Sequence, residues 1–311
     1  MTYIKIQWLI VVFVFFIDIV WINISSLSLL YSDFFFIKVI FIWFLLYAVY
    51  LFYKNFRPDP RITTALLSTL CFLMFTGAME ILCYLFYTTN QPLVNQTLAN
   101  IDGYFGFHAP DLVLWFQSHK WWDVVFYYIY MSGMPQILLT FLYFSFLGNP
   151  IILQRFIMQF MLAAFPTIII GALWPALSTH EWYHFASDIG QVSAMERLHE
   201  LRQGILNLTQ ADGIITFPSF HTTIGVFIIY AFLNERKLIF IPVLLLNILM
   251  IFSCLSHGSH FLIDIIGGLF IAVVTIKLEG LLFRYVNIPS LKKINHREAE
   301  ASKSLKNPSS V

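Results

Sequence analysis

Long hydrophobic runs separated by short polar breaks dominate the chain from Tyr3 to Tyr285. A bilayer core about 30 Å thick takes roughly 20 apolar residues of helix. By that ruler the runs predict eight membrane spans, at 4–25, 34–54, 63–87, 122–147, 151–177, 219–234, 238–256 and 259–285, the sixth having the shortest apolar core. Two longer mixed or hydrophilic stretches, 88–121 and 178–218, interrupt the series, and no internal repeat is evident. The first run is too long for a signal-peptide core and lacks a small-residue cleavage site, so it reads as a span. The expected architecture is all-α and polytopic. Two N-terminal helices and a loop occupy 1–62, a six-helix membrane domain occupies 63–286, and a basic, disordered tail occupies 287–311.

Composition agrees with this pattern. Hydrophobic residues make up 59% of the chain and charged residues 11%, whereas soluble domains carry about a quarter charged residues. A net charge of +1 argues against an extended nucleic-acid surface. The positive charges sort by side instead. With a cytoplasmic N-terminus, Lys5, Lys54, Arg57, Arg61, Arg155, Arg236, Lys237 and the tail fall inside. Lys120, Arg197 and Arg202 fall outside, with Lys38 within a span. This asymmetry puts both long loops and the starts of the sixth and eighth spans on the outer face. That face is periplasmic in a bacterial inner membrane, otherwise lumenal in Golgi or ER. Cys71, Cys83 and Cys254 lie in apolar segments without paired spacing and read as packing residues.

Polar residues elsewhere have plain readings beside sharper ones. The stretch Asp111–Trp122 carries three tryptophans, as expected of a helix at the membrane surface; it serves as an anchor or as one wall of a lipid-entry groove. His180 and His184 are four apart but lack a third metal ligand, which favours a solvated loop. Asp18, Lys38 and Glu80 are costly within a span; they pair across helices or snorkel, or else mark a conduction path. The sequons at Asn23, Asn95 and Asn207 all fall on the expected outer side, although such triplets arise easily by chance.

Two polar islands at the mouths of hydrophobic runs carry the chemistry, Phe217-Pro218-Ser219-Phe220-His221 and His257-Gly258-Ser259-His260-Phe261-Leu262-Ile263-Asp264. His260 and Asp264 stand one helical turn apart on one face. A carboxylate so placed accepts an imidazole N–H, fixes the tautomer and raises the basicity of the other ring nitrogen. His221 falls in the first turn of the sixth span, behind Pro218 and a capping Ser219, where free backbone N–H groups attract an anion. Together these residues suit phosphoryl transfer: His260 as nucleophile, Asp264 as its partner, and His221 as acid and then base, with no metal or other cofactor required. The plain alternative is a surface ion pair and a loop-end histidine. Ser219, Arg202 and His257 are candidate substrate-binding residues; His257 contacts acceptor or phosphate, or is an interfacial histidine.

These motifs resemble the second and third signatures of the type 2 phosphatidic acid phosphatase superfamily. They are more similar to its inositol phosphorylceramide synthase branch with its bacterial relatives, over a region from the third span to the eighth. The resemblance implies a six-helix core and the same roles for His221, His260 and Asp264. Two features depart from the phosphatases. The basic Lys…Arg-Pro motif has no outer-facing counterpart, since Arg57-Pro58 lacks a matching lysine and falls inside. Where the phosphatases have Ser-Arg before the nucleophile, this chain has Ser253-Cys254. A singly charged phosphodiester needs fewer cations than a phosphomonoester dianion, and the synthase branch likewise lacks these motifs. Arg202, with Arg197 and Lys120 behind it, is the expected replacement cation. The expected activity is transfer of a phospho-head group from a phospholipid donor to a lipid acceptor. Alternatives are hydrolysis of a lipid phosphomonoester with water as acceptor, and a non-catalytic lipid transporter or scramblase. The expected surroundings are the bilayer and no nucleic acid; oligomeric state is not legible.

Overall fold

The computed structural model describes residues 3–147, 149–185 and 189–306, with the backbone alone at 189–191 and 286–306. In chain order the elements are α1 (Tyr3–Ile24), β1 (Ser28–Tyr31), α2 (Asp33–Asn55), α3 (Pro60–Tyr87), α4 (Asn95–Tyr104), α5 (Ala109–Ser118), α6 (Lys120–Met131) and α7 (Gly133–Phe146). There follow α8 (Pro150–Leu173), α9 (Thr179–Trp182), α10 (Ile189–Arg202), β2 (Ile205–Leu208), α11 (Phe220–Phe232), α12 (Lys237–Ser256) and α13 (Leu262–Lys306). The helices begin where short polar side chains cap them. Ser32 accepts from Phe35 N–H, Asp59 from Arg61 and Ile62, and Asn149 from Ile151. Pro60 and Pro150 occupy first-turn positions where a missing N–H costs nothing.

Six helices, α1, α2, α3, α8, α12 and the apolar part of α13 (262–285), are long and apolar enough to cross a membrane, and α6 with α7 makes a seventh if read as one bent span. The chain is a multi-pass membrane protein. Two expected spans change form. The fourth is broken into α6 and α7, bent by 43°, with the break at Ser132–Gly133. The sixth shrinks to the 13 residues of α11, about 20 Å of helix, because Phe217-Pro218-Ser219 holds the preceding backbone out of the helix.

The architecture is all-α, as expected, with one small parallel pairing of β1 with β2 beside the helices. The tail, expected to be disordered, continues α13 as helix to Lys306; its Glu298-Ala299-Glu300-Ala301 run favours helix. Residues 307–311 lie outside the described residues.

α3, α7, α8, α11, α12 and α13 pack around a common core, with α6 against α12 and α1 and α2 against α3. Aromatic edges knit the centre: Phe72 meets Phe141 at 4.9 Å and Phe160 at 4.7 Å between ring centroids. Such contacts, close packing and interhelical hydrogen bonds drive helix association in lipid, where burial of apolar area offers little. α13 crosses α11 so closely that a Cβ on Gly268 would strike the Ser219 carbonyl. Only glycine permits that approach.

At one end of the bundle α13 carries Glu279, fully buried and bonded by Arg155 through Nε (2.9 Å) and Nη2 (2.7 Å), by Gln159 Nε2 (3.1 Å) and by the Tyr3 hydroxyl (2.9 Å). The other end carries the two polar islands and is roofed by the long loops, tied together where Asn95 exchanges two 2.9 Å bonds with the Leu177 backbone. The Asn95 sequon is therefore a structural tie, with the side chain buried and both amide atoms used.

Candidate active site

The turn from Gly258 to Asp264 joins α12 to α13 and holds the nucleophile candidate. Ser259 takes a left-handed backbone (φ 57°), which costs a residue with a Cβ about 1 kcal/mol or more. Neighbouring loop residues hold it there: Thr179 N–H donates to the Ser259 carbonyl at 2.9 Å, and the Ser259 hydroxyl bonds His180 Nδ1 at 2.7 Å. His180 is 7% exposed, so the solvated-loop reading of this residue is corrected. Ser178, Thr179 and His180 are buried against the turn, while Glu181 and His184 stay exposed.

His260 follows, buried, with Nδ1 3.2 Å from Asp264 Oδ2. The same oxygen accepts Phe261 N–H at 2.8 Å. The Nδ1–H···O pairing turns His260 Nε2 into the free, electron-rich nitrogen. Asp264 Oδ1 is buried and has no hydrogen-bond partner among the described residues. The Asp264 backbone also binds the other island, its carbonyl accepting Ser219 N–H at 3.0 Å. This bond joins the two motifs across 45 residues of sequence.

His221 sits in the first turn of α11, half-buried, its ring 4.9 Å from that of Tyr130 and against the α6/α7 break at Gly133. The structure thus brings His221, His260 and Asp264 to one end of the bundle.

The other predicted residues fare differently. Ser219 is buried and its hydroxyl is used internally, accepting from Thr222 N–H and Thr222 Oγ1; it caps α11. His257 bonds Ser256 Oγ through Nδ1 (2.8 Å) and Asp123 Oδ1 through Nε2 (3.1 Å), with its ring edge-on to Phe116. Burial pulls its pKa below the usual imidazole value, and Asp123 pulls it partly back. Arg202 donates to the Gln91 carbonyl at 2.7 Å. Arg197 is buried in ion pairs with Asp212 and Glu200, and Lys120 is exposed at the start of α6. Cys254, at the position where the phosphatases carry arginine, is buried and directs its thiol to the Met250 carbonyl.

Of the charged residues within spans, Glu80 accepts the Tyr84 hydroxyl at 2.9 Å. Lys38 is exposed and lies over the Phe34 ring at 4.0 Å. Asp18 is 2% exposed with neither oxygen bonded among the described residues.

One residue escaped the sequence reading altogether. Asp102 in α4 is 3% exposed and caps α13, Oδ2 accepting Leu262 N–H at 2.8 Å and Oδ1 accepting Ile263 N–H at 3.0 Å. Burial raises its pKa and the two N–H groups pull it down, leaving it above the usual carboxylate value. No motif announces it, because a carboxylate in a polar loop has no contrast with its surroundings. Among the described residues no group of three or more His, Cys, Asp or Glu side chains is arranged to hold a metal. A cavity of about 300 Å³ lined by Tyr50, Lys54, Thr63 and Gln154 opens at the far end of the bundle, away from the histidines.

A family model described as the PAP2 superfamily matches residues 96–278. The chain belongs to the PAP2 superfamily. The PAP2 match takes in Asp102, both polar islands, the helices from α5 to α12 and the first part of α13, but begins at Gln96; α3, where the sequence resemblance was expected to start, lies outside it. PAP2 membership suggests phosphatase or phosphotransferase chemistry. No curated protein and no solved structure matches the chain.

Proposed function

We propose that the protein transfers a phosphate-bearing head group from a phospholipid diester to a lipid alcohol through a phosphohistidine, as an inositol phosphorylceramide synthase-like enzyme. The observation carrying this reading is the His260–Asp264 pair, joined to the His221 island in a site whose nearby cations are engaged elsewhere. In the first step His260 Nε2 attacks phosphorus, the bond from phosphorus to the departing lipid oxygen breaks, and His221 gives that oxygen its proton. Asp264 holds the proton on Nδ1 and stabilises the ring as charge develops. In the second step His221 takes the proton from the acceptor hydroxyl, whose oxygen attacks phosphorus as the P–N bond to His260 breaks. The scheme uses no metal.

The placement of charges supports the outer, periplasmic or lumenal, face for this chemistry. Lys5, Lys54, Arg57, Arg61, Arg155 and Arg236 gather at the opposite end of the bundle. The absence of a phosphatase-type arginine at Cys254 favours a diester over a monoester. The test is incubation of purified protein with head-group-labelled phospholipid, alone and with diacylglycerol or a ceramide. Labelled head group on the added alcohol is expected. Release of free phosphate from a monoester, with no exchange from a diester, would refute the transferase.

A further inference from the structure

The first three backbone N–H groups of the turn into α13 are all taken by carboxylates. Phe261 N–H goes to Asp264, and Leu262 and Ile263 N–H go to Asp102. A helix N-terminus beside a phosphate site ordinarily helps to hold the anion. Here that capacity is already spent on protein groups. Asp102 is as buried as the catalytic pair, and its charge reaches Asp264. Arg197 and Arg202, the nearest basic residues of the preceding loop, are bonded to Asp212 and to Gln91. The nucleophile therefore bonds one buried carboxylate directly and lies two residues before the N–H groups that hold a second, with no compensating cation shown against either among the described residues.

We propose that Asp102 is a specificity-determining residue, an electrostatic filter that admits singly charged phosphodiesters and repels doubly charged phosphomonoesters. The proposal rests on the reading of the site as one for a phosphodiester, and it supplies a physical reason for that preference. A second negative charge on phosphorus meets the fixed charge of Asp102 where water screens it little. A diester keeps only the single charge that His221, in its proton-donating form, neutralises. The same carboxylate positions the catalytic helix, so charge and positioning must be separated by experiment.

The filter is read as a ratio of affinities for two probes, a short-chain alkyl phosphate and its methyl diester. Binding is measured on the full chain in detergent, in a His260→Ala background so that neither probe is consumed. The unaltered Asp102 is expected to favour the diester. Asp102→Asn keeps the shape but removes the charge, and should shift the ratio towards the monoester by about tenfold, chiefly through tighter monoester binding; Asp102→Glu should restore the original ratio. Tyr183, whose hydroxyl feels the Asp102 charge, offers an independent variant. Tyr183→Lys sets a cation beside an intact Asp102 and should move the ratio the same way, deciding the matter if Asp102→Asn does not fold. An unchanged ratio, or equal weakening of both probes, overturns the filter. If active protein moves no head group, the transferase reading fails, while the ratio still judges the filter because it needs no turnover.

Discussion

The apolar part of α13 (262–285) carries a buried carboxylate near each end, and the two are treated in opposite ways. Glu279 receives four hydrogen bonds from Arg155, Gln159 and Tyr3, reaching from α8 and α1. Asp264, about 22 Å along the same helix, spends one oxygen on His260 and Phe261 N–H and leaves Oδ1 without a partner among the described residues. A saturated carboxylate fixes helices in place, because every partner is lost if it moves. An under-coordinated one beside an imidazole retains capacity for charge that develops during reaction. Burial alone therefore does not separate these two carboxylates of α13; the count of satisfied bonds does.

The sharpest break in this comparison comes from the histidines. His260→Ala and His221→Ala are each expected to lower head-group transfer by about 10⁴-fold or more while leaving the thermal midpoint in detergent near that of the parent. Residual turnover in His260→Ala near the parental rate would eliminate the phosphoenzyme.

The same conservative change at the two carboxylates should then give opposite outcomes. Asp264→Asn should cost roughly 10³-fold in turnover with little loss of stability. Glu279→Gln should cost about 3 kcal/mol of stability, because Arg155 keeps a charge that its partner no longer balances, yet leave turnover per folded molecule within about twofold. Equal behaviour of the two variants would erase the distinction.

His257 gives a smaller effect with a definite sign. Its pKa is depressed in the fold, so the unfolded chain binds the proton more readily, and stability falls as pH drops below the usual imidazole value of about 6.5. His257→Gln should flatten that part of the stability–pH curve; an unchanged slope would mean that His257 does not contribute to it. Smallest of all, Arg202→Ala should alter transfer by less than about twofold, since its guanidinium holds a backbone carbonyl in an exposed position. A loss of tenfold or more would return it to the phosphate.

The candidate set of His221, His260 and Asp264 was legible because its signals are local. A histidine and an aspartate one turn apart, and a Pro-Ser ahead of a second histidine, declare their geometry through helix periodicity. The spans were legible through apolar length, and so was the short apolar core that became α11, though not the break at Ser132–Gly133. What the sequence concealed depends on tertiary contact. Asp102, Asn95 and His180 are ordinary polar residues in polar loops, and only the folding of those loops onto 259–263 buries them. Glu279 was visible in principle as a charge within an apolar run, but its partners Arg155 and Tyr3 are remote in sequence.

The short α11 has a consequence for the competition between acceptors. At about 20 Å against a hydrocarbon core of about 30 Å, its first turn lies well below the plane of the head groups if its other end reaches the opposite surface. His221 then lies in a recess that, on the proposed transferase reading, a lipid alcohol enters along with its own chains, while bulk water must be drawn down through protein. Hydrophobic mismatch, usually discussed as a problem of anchoring, would here act as a kinetic barrier to hydrolysis.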